Sequence, residues 1–203
     1  MGKKLYLFVL LTIFYGCSST SSTLINRDSS FRSKDFFNSS IKLYPPLSII
    51  ITDNKYSDYN DEKAKVEITN TVKEKIEQVS RDSVAIGKQK VPDYFKGILL
   101  KKEEAGEFLK DSKAKYIIFI KHIFIGRKNE KQIMYNTHTW GSYPYNQGVT
   151  KATIFFDVWN TESAASVLSV EIKSDVNEGL LENSLYSSLN NAIDEFIDII
   201  KKY

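Results

Sequence analysis

The sequence predicts one α/β domain, a mixed β-sheet in the element order β-α-β-α-β-β-β-α with helices packed on the sheet. Three observations carry that expectation. Early strand-like runs alternate with stretches whose apolar residues recur at helical spacing; the last three strand-like runs follow one another without a helix between them; and the chain closes on a long amphipathic stretch. Parallel neighbours need crossover connections and sequential antiparallel strands do not, so the first two strands take helical crossovers and the last three form a meander. Composition supports a folded domain, since of 203 residues 42% are hydrophobic and 26% charged, enough to bury a core without staples. That balance excludes a disordered, collagen-like, disulfide-framework or multi-span membrane chain.

Residues 1–16 read as a secretory signal. Lys3 and Lys4 give the positive start, and residues 5–15 form a mostly apolar run, too short to cross a bilayer, which takes about 20 residues. The run stops at Gly16-Cys17 and passes into Ser18-Ser19-Thr20-Ser21-Ser22-Thr23. Residues 17–40 are rich in Ser, Thr and Asn and lack periodicity, which predicts a flexible tether followed by a docking segment around Phe36 and Phe37. The domain is expected over 41–203.

Within residues 41–52, Leu47-Ser48-Ile49-Ile50-Ile51 is an apolar, β-branched run suited to a buried strand, with Pro45 and Pro46 ahead of it where no ladder donor is needed. After a polar turn at 53–61, Ala64, Val66, Ile68, Val72, Ile76 and Val79 predict an amphipathic helix over 62–79. Residues 83–86 are a short candidate strand, Val91-Pro92-Asp93-Tyr94 a turn, and 100–112 a helix carrying Ala105, Phe108 and Leu109 on one side. Tyr116-Ile117-Ile118-Phe119-Ile120 and Ile123-Phe124-Ile125 predict a strand over 115–125, buried partly on both faces. Residues 149–160 alternate, with Ile154, Phe156 and Val158 on one face and Phe155, Asp157 and Trp159 on the other. Thr161-Glu162-Ser163-Ala164 is the turn, and 166–176 return as the second strand of the hairpin. Over 180–203, Leu181, Leu185, Leu189, Ala192, Ile193, Phe196, Ile199 and Ile200 fall on one helical stripe.

Phe14-Tyr15-Gly16-Cys17 resembles the lipobox of bacterial lipoproteins, in which a small residue precedes a Cys that is lipidated and becomes the first residue of the mature chain. The resemblance implies a lipid anchor on Cys17, and several acyl chains hold firmly at about 0.8 kcal/mol per buried CH₂. It also accounts for a lone Cys in an exported chain, otherwise an odd reactive thiol. Ser18 stands where many inner-membrane lipoproteins carry Asp, so the resemblance implies the periplasmic face of the outer membrane. The domain itself resembles a family of lipoprotein domains that includes the curli secretion lipoprotein, the lipoprotein activators of penicillin-binding proteins and the amino-terminal domain of TolB-type proteins. Leu47-Ser48-Ile49-Ile50-Ile51-Thr52-Asp53, Ala114-Lys115-Tyr116-Ile117-Ile118-Phe119-Ile120 and Ile154-Phe155-Phe156-Asp157-Val158-Trp159-Asn160-Thr161 carry that resemblance. It implies binding and assembly in the periplasm rather than chemistry. Where the family often has glycine in the hairpin turn, this chain has Glu162 and Ser163.

The long insertion at 127–148 alternates poorly for a transmembrane hairpin. It concentrates aromatics in a segment too polar and too marked by Gly and Pro for a core. Tyr135, Trp140, Tyr143 and Tyr145 are the candidate partner-binding residues of a loop that touches a partner, a glycan or the membrane, because Tyr and Trp give large contact area at low entropic cost; the alternative is a long hairpin whose aromatics cover the end of the sheet. His138 lacks companions at ligand spacing, His122 falls within a strand-like run, and no nucleophile elbow or phosphate loop is present, so neither a metal nor a cofactor is expected. A net charge of +3 gives no case for nucleic acid. The expected protein is a non-enzymatic lipoprotein, held to the membrane by its N-terminal lipid, that binds an envelope protein or glycan. An envelope hydrolase or glycan-processing enzyme with an unrecognised carboxylate site is the competing reading.

Overall fold

A computed structural model describes residues 18–56, 61–96, 102–136, 141–178 and 183–203. In chain order the elements are β1 (Ser18–Arg27), α1 (Ser33–Phe37), β2 (Ile41–Tyr44), β3 (Ser48–Ile51), α2 (Asp61–Glu77), β4 (Ala85–Ile86), α3 (Lys102–Asp111), β5 (Tyr116–Asn136), β6 (Gly141–Asn160), β7 (Ala165–Asn177) and α4 (Ser184–Lys201), with short 3₁₀ turns at Asn54–Tyr56 and Asp93–Lys96. The strands make one open seven-stranded mixed sheet in the order β1-β7-β6-β5-β2-β4, with β3 also paired to β5. β1, β7, β6 and β5 are antiparallel neighbours, whereas β2 and β3 run parallel to β5. The expected β-α-β-α-β-β-β-α order is present, with β1 and α1 ahead of it.

β5 organises the sheet because its first half is apolar on both faces. Ile118 and Ile120 join the larger core cluster, while Ile117 and Phe119 join the smaller one. A register shift between Ile120 and Ile123 resets the alternation, so Ile123 and Ile125 continue on the larger core's side. The expected strand at 41–52 is two strands on one edge of β5, broken at Pro45 and Pro46; Leu47 N–H rejoins the ladder at Ile120 O, 2.9 Å away.

The larger core lies between the sheet and helices α2 and α4. From α2 come Ala64, Ile68, Val72 and Ile76, one residue per turn, all buried. Val66, off that i, i+4 row, and Val79, past the end of α2, were expected on the same stripe and are exposed. From α4 come Leu189, Ala192, Ile193 and Phe196, and the Phe196 ring stacks on Phe156 with centroids 3.9 Å apart. The smaller core packs Tyr44, Phe95, Phe108 and Leu109 of the α3 side against Ile117 and Phe119. A Cβ at Gly87 would collide with the buried Tyr44 ring, so only glycine passes there.

One expectation is corrected and one open choice is decided. Residues 17–40 were expected to begin as a flexible tether, yet Ser18–Arg27 is a ten-residue strand paired to β7 from Ser18↔Val176 to Arg27↔Leu168. Its residues are all exposed, so backbone pairing holds it, helped by Ser22 Oγ–H donating to Glu195 at 2.9 Å and by Arg27 stacked 4.2 Å over the Tyr203 ring. The docking segment does pack: Phe36 and Phe31 are buried, their rings 5.8 Å apart and both against Tyr116. At 127–148, where the sequence left a loop and a long hairpin open, the described residues are strand. β5 and β6 stay paired to Asn136↔Gly141.

Candidate functional site

β7 leaves the sheet at Asn177, opposite Val149, and β3 ends at Ile51, opposite Ile125. Beyond the row Lys128↔Val149 the described sheet is therefore only β5 paired with β6, through eight further rows to Asn136↔Gly141. At about 3.3–3.4 Å per residue this ribbon reaches roughly 25 Å past the body. In the backbone register Tyr143 stands opposite Met134, Tyr145 opposite Gln132 and Tyr135 opposite Ser142. Trp140 and Cys17 lie outside the described residues, as does His138.

A polar knot holds the ribbon at its base. Glu178, directly after β7, pairs through Oε2 with Lys55 Nζ and Arg127 Nε, each at 2.9 Å. Its Oε1 lies 3.1 Å from both the Tyr56 and Thr150 hydroxyls, which are 2.5 Å from each other, and Thr150 Oγ1 lies 2.7 Å from Ser184 Oγ of α4. Glu178 N–H donates to Gly148 O at 2.9 Å, and Gly148 is without a side chain where the Glu178 carboxylate and Arg127 guanidinium cross the strand. Burial pushes the Glu178 carboxyl up, but hydrogen bonds from Lys55, Thr150 and Tyr56 and the Lys55 charge outweigh it and hold the carboxyl below the ordinary glutamate range. With both oxygens engaged, this carboxylate fixes the ribbon to the 3₁₀ turn, β6 and α4. No local pattern marked Glu178, because its partners come from residues 55, 127 and 150.

A second buried acid was visible only as an alternating residue. Asp157 Oδ1 accepts from Ser166 and Ser169, both at 2.6 Å, while Oδ2 accepts from Trp159 Nε1 at 2.8 Å and pairs with Lys121 at 2.8 Å. It ties the turn end of the β6–β7 hairpin to β5. On the same sheet face, toward the ribbon, His122, Phe124 and Phe155 form a cluster of rings about 6 Å apart, with Phe124 exposed. His122 Nδ1 lies 2.8 Å from Ser48 Oγ, which marks it as a sheet-face residue. The carboxylates with shifted pKa are dispersed: besides Glu178, Glu77 is lowered by hydrogen bonds from Lys73 and Val84, and Asp28 by those from Ser30. Among the described residues, no group of three or more His, Cys, Asp or Glu is placed to hold a metal ion, and no helix is long and apolar enough to cross a membrane.

No family model matches the sequence, and no curated protein matches it. Solved structures do match. A dodecamer of a PelC variant from Paraburkholderia phytofirmans aligns over 92% of this chain and 100% of its own, at 11% identity and a TM-score of 0.46. A homolog of the neuraminyllactose-binding hemagglutinin from Helicobacter pylori aligns over 87% of this chain and 84% of its own, at 12% identity and a TM-score of 0.42. A lipoprotein of Neisseria meningitidis aligns over 81% of this chain and 99% of its own, at 12% identity and a TM-score of 0.36. The specific family suggested by residues 41–203 is not assigned by these likenesses.

Proposed function

We propose that the protein is a lipid-anchored envelope lipoprotein, on the periplasmic face of the outer membrane, whose ribbon binds another envelope component without catalysing a reaction. The observation that carries this reading is the ribbon: eight rows of paired backbone beyond the sheet, rich in Tyr at its far end and braced at its base by Glu178. Among the described residues these rows of β5 and β6 pair only with each other, and a two-stranded ribbon is marginal by itself, so contact made elsewhere is the natural use for it. Tyr supplies such contact at low entropic cost. The anchor follows from Gly16-Cys17 after a signal-like run.

A photo-crosslinking residue at position 143 or 145, introduced in cells, tests the binding role. A covalent product with an envelope component, lost when Trp140 and whichever of Tyr143 and Tyr145 does not carry the probe are replaced by Ser while the circular dichroism is unchanged, is the expected result. A ribbon that crosslinks to nothing in an intact envelope rejects it.

A further inference from the structure

Ser18 pairs with Val176, Val176 with Thr150, and Thr150 with Arg127, so one row across the sheet joins the start of β1 to the base of the ribbon. β1 runs away from that row toward Arg27, which pairs with Leu168. β1 therefore begins at the end of the sheet from which the ribbon projects. Cys17 is one Cα–Cα step, about 3.8 Å, from Ser18. From this geometry we infer that the component met by the ribbon is the lipid surface in which acyl chains on Cys17 are seated.

The inference rests on the lipidation proposed above, and the ribbon's residues fit it. The rows nearest the body carry Lys128, Asn129, Glu130 and Lys131, while the far rows carry Ile133, Met134 and Tyr135 on β5 and Tyr143, Pro144 and Tyr145 on β6. Tyr is enriched where apolar surface meets lipid headgroups, with its ring toward the tails and its hydroxyl in water. A lone two-stranded ribbon has unpaired N–H and C=O groups along both edges, which the hydrocarbon core would leave without partners. Headgroups and interfacial water supply those partners, so the ribbon rests in the interface and does not cross the membrane. Acyl chains and ribbon then hold the sheet at two points, fixing its orientation where one lipidated residue alone would let it swivel.

The test uses the full chain, acylated in a bacterial host and reconstituted in vesicles of phosphatidylethanolamine and phosphatidylglycerol. An environment-sensitive fluorophore is attached at Met134→Cys, at Tyr143→Cys, or at Ser163→Cys in the turn at the opposite end of the sheet. Expected are a shift to shorter wavelength and quenching by tail-brominated lipid at positions 134 and 143, with neither at 163. Acylation of Cys17 is read on the same sample by mass spectrometry. An acylated protein whose ribbon probes are unquenched overturns the inference and leaves the anchor standing; an unacylated Cys17 overturns the anchor and the inference with it. Crosslinks from 143 to a protein or glycan in place of lipid also overturn the inference, while keeping the binding role.

Discussion

Ala164, in the turn between β6 and β7, has φ of 49°, a left-handed conformation that costs an L-residue about 1–2 kcal/mol. The turn is held from its other end, where Asn160 Oδ1 accepts the N–H groups of Glu162 and Ser163. The absence of glycine in this turn was legible in the sequence, but which residue bears the strain was not, since φ depends on the whole turn. Ala164→Gly should stabilise the protein by about 0.5–1 kcal/mol in urea denaturation; a loss of stability would show that the side chain itself is needed. Glu178 makes a pH prediction. Its folded pKa lies below the unfolded value of about 4.3, so its pairing stabilises the fold fully above that pH, and the contribution disappears as pH falls through the folded pKa. Glu178→Gln should accordingly flatten the fall in stability below about pH 4.3, measured by denaturant midpoints across an acid series. An unchanged acid limb would assign the sensitivity to other carboxylates.

At the scale of elements, α4 closes the larger core. Its stripe was readable from sequence because buried positions recur at helical spacing, and the residues named there from Leu185 to Ile200 are all buried. Phe196→Ala should cost about 3–5 kcal/mol, removing the stack on Phe156 and leaving a cavity beneath the helix, and thermal unfolding would register it. A cost under 1 kcal/mol would mean that α4 closes over the gap. β1 escaped the sequence reading for a physical reason. A fully exposed edge strand has no face to bury, so it shows no alternation, and Ser and Thr look alike in a tether and in a ladder. The ribbon was legible only as the hairpin alternative to a loop, because 127–148 alternates poorly and only cross-strand pairing defines it.

For the whole molecule, finding β1 directly after Cys17 changes what an anchor would do. A tether of some twenty residues would let the domain sample a wide shell, whereas a strand pinned to β7 keeps one end of the sheet close to any lipid on Cys17. Under the proposed anchoring, Cys17→Ser should abolish fatty-acid incorporation and move the protein from the membrane to the soluble fraction, while leaving the fold's circular dichroism unchanged. Retention of the variant in washed membranes, with no label on the wild type, would remove the lipoprotein reading.

The sequence by itself determined the kinds and order of the core elements, because burial against a common sheet imprints a period of two on strands and of about 3.6 on helices. It also placed Cys17 after a signal-like run, a purely local pattern. Tertiary structure alone decided that residues 18–27 belong to the sheet, that β5 and β6 pair as a ribbon as far as Asn136↔Gly141 rather than parting into a loop, and that Glu178 ties the ribbon's base to the body. These features rest on backbone ladders and on contacts between residues far apart in the chain. Such interactions leave no periodic trace in sequence, because their specificity lies in register and position rather than in hydrophobicity.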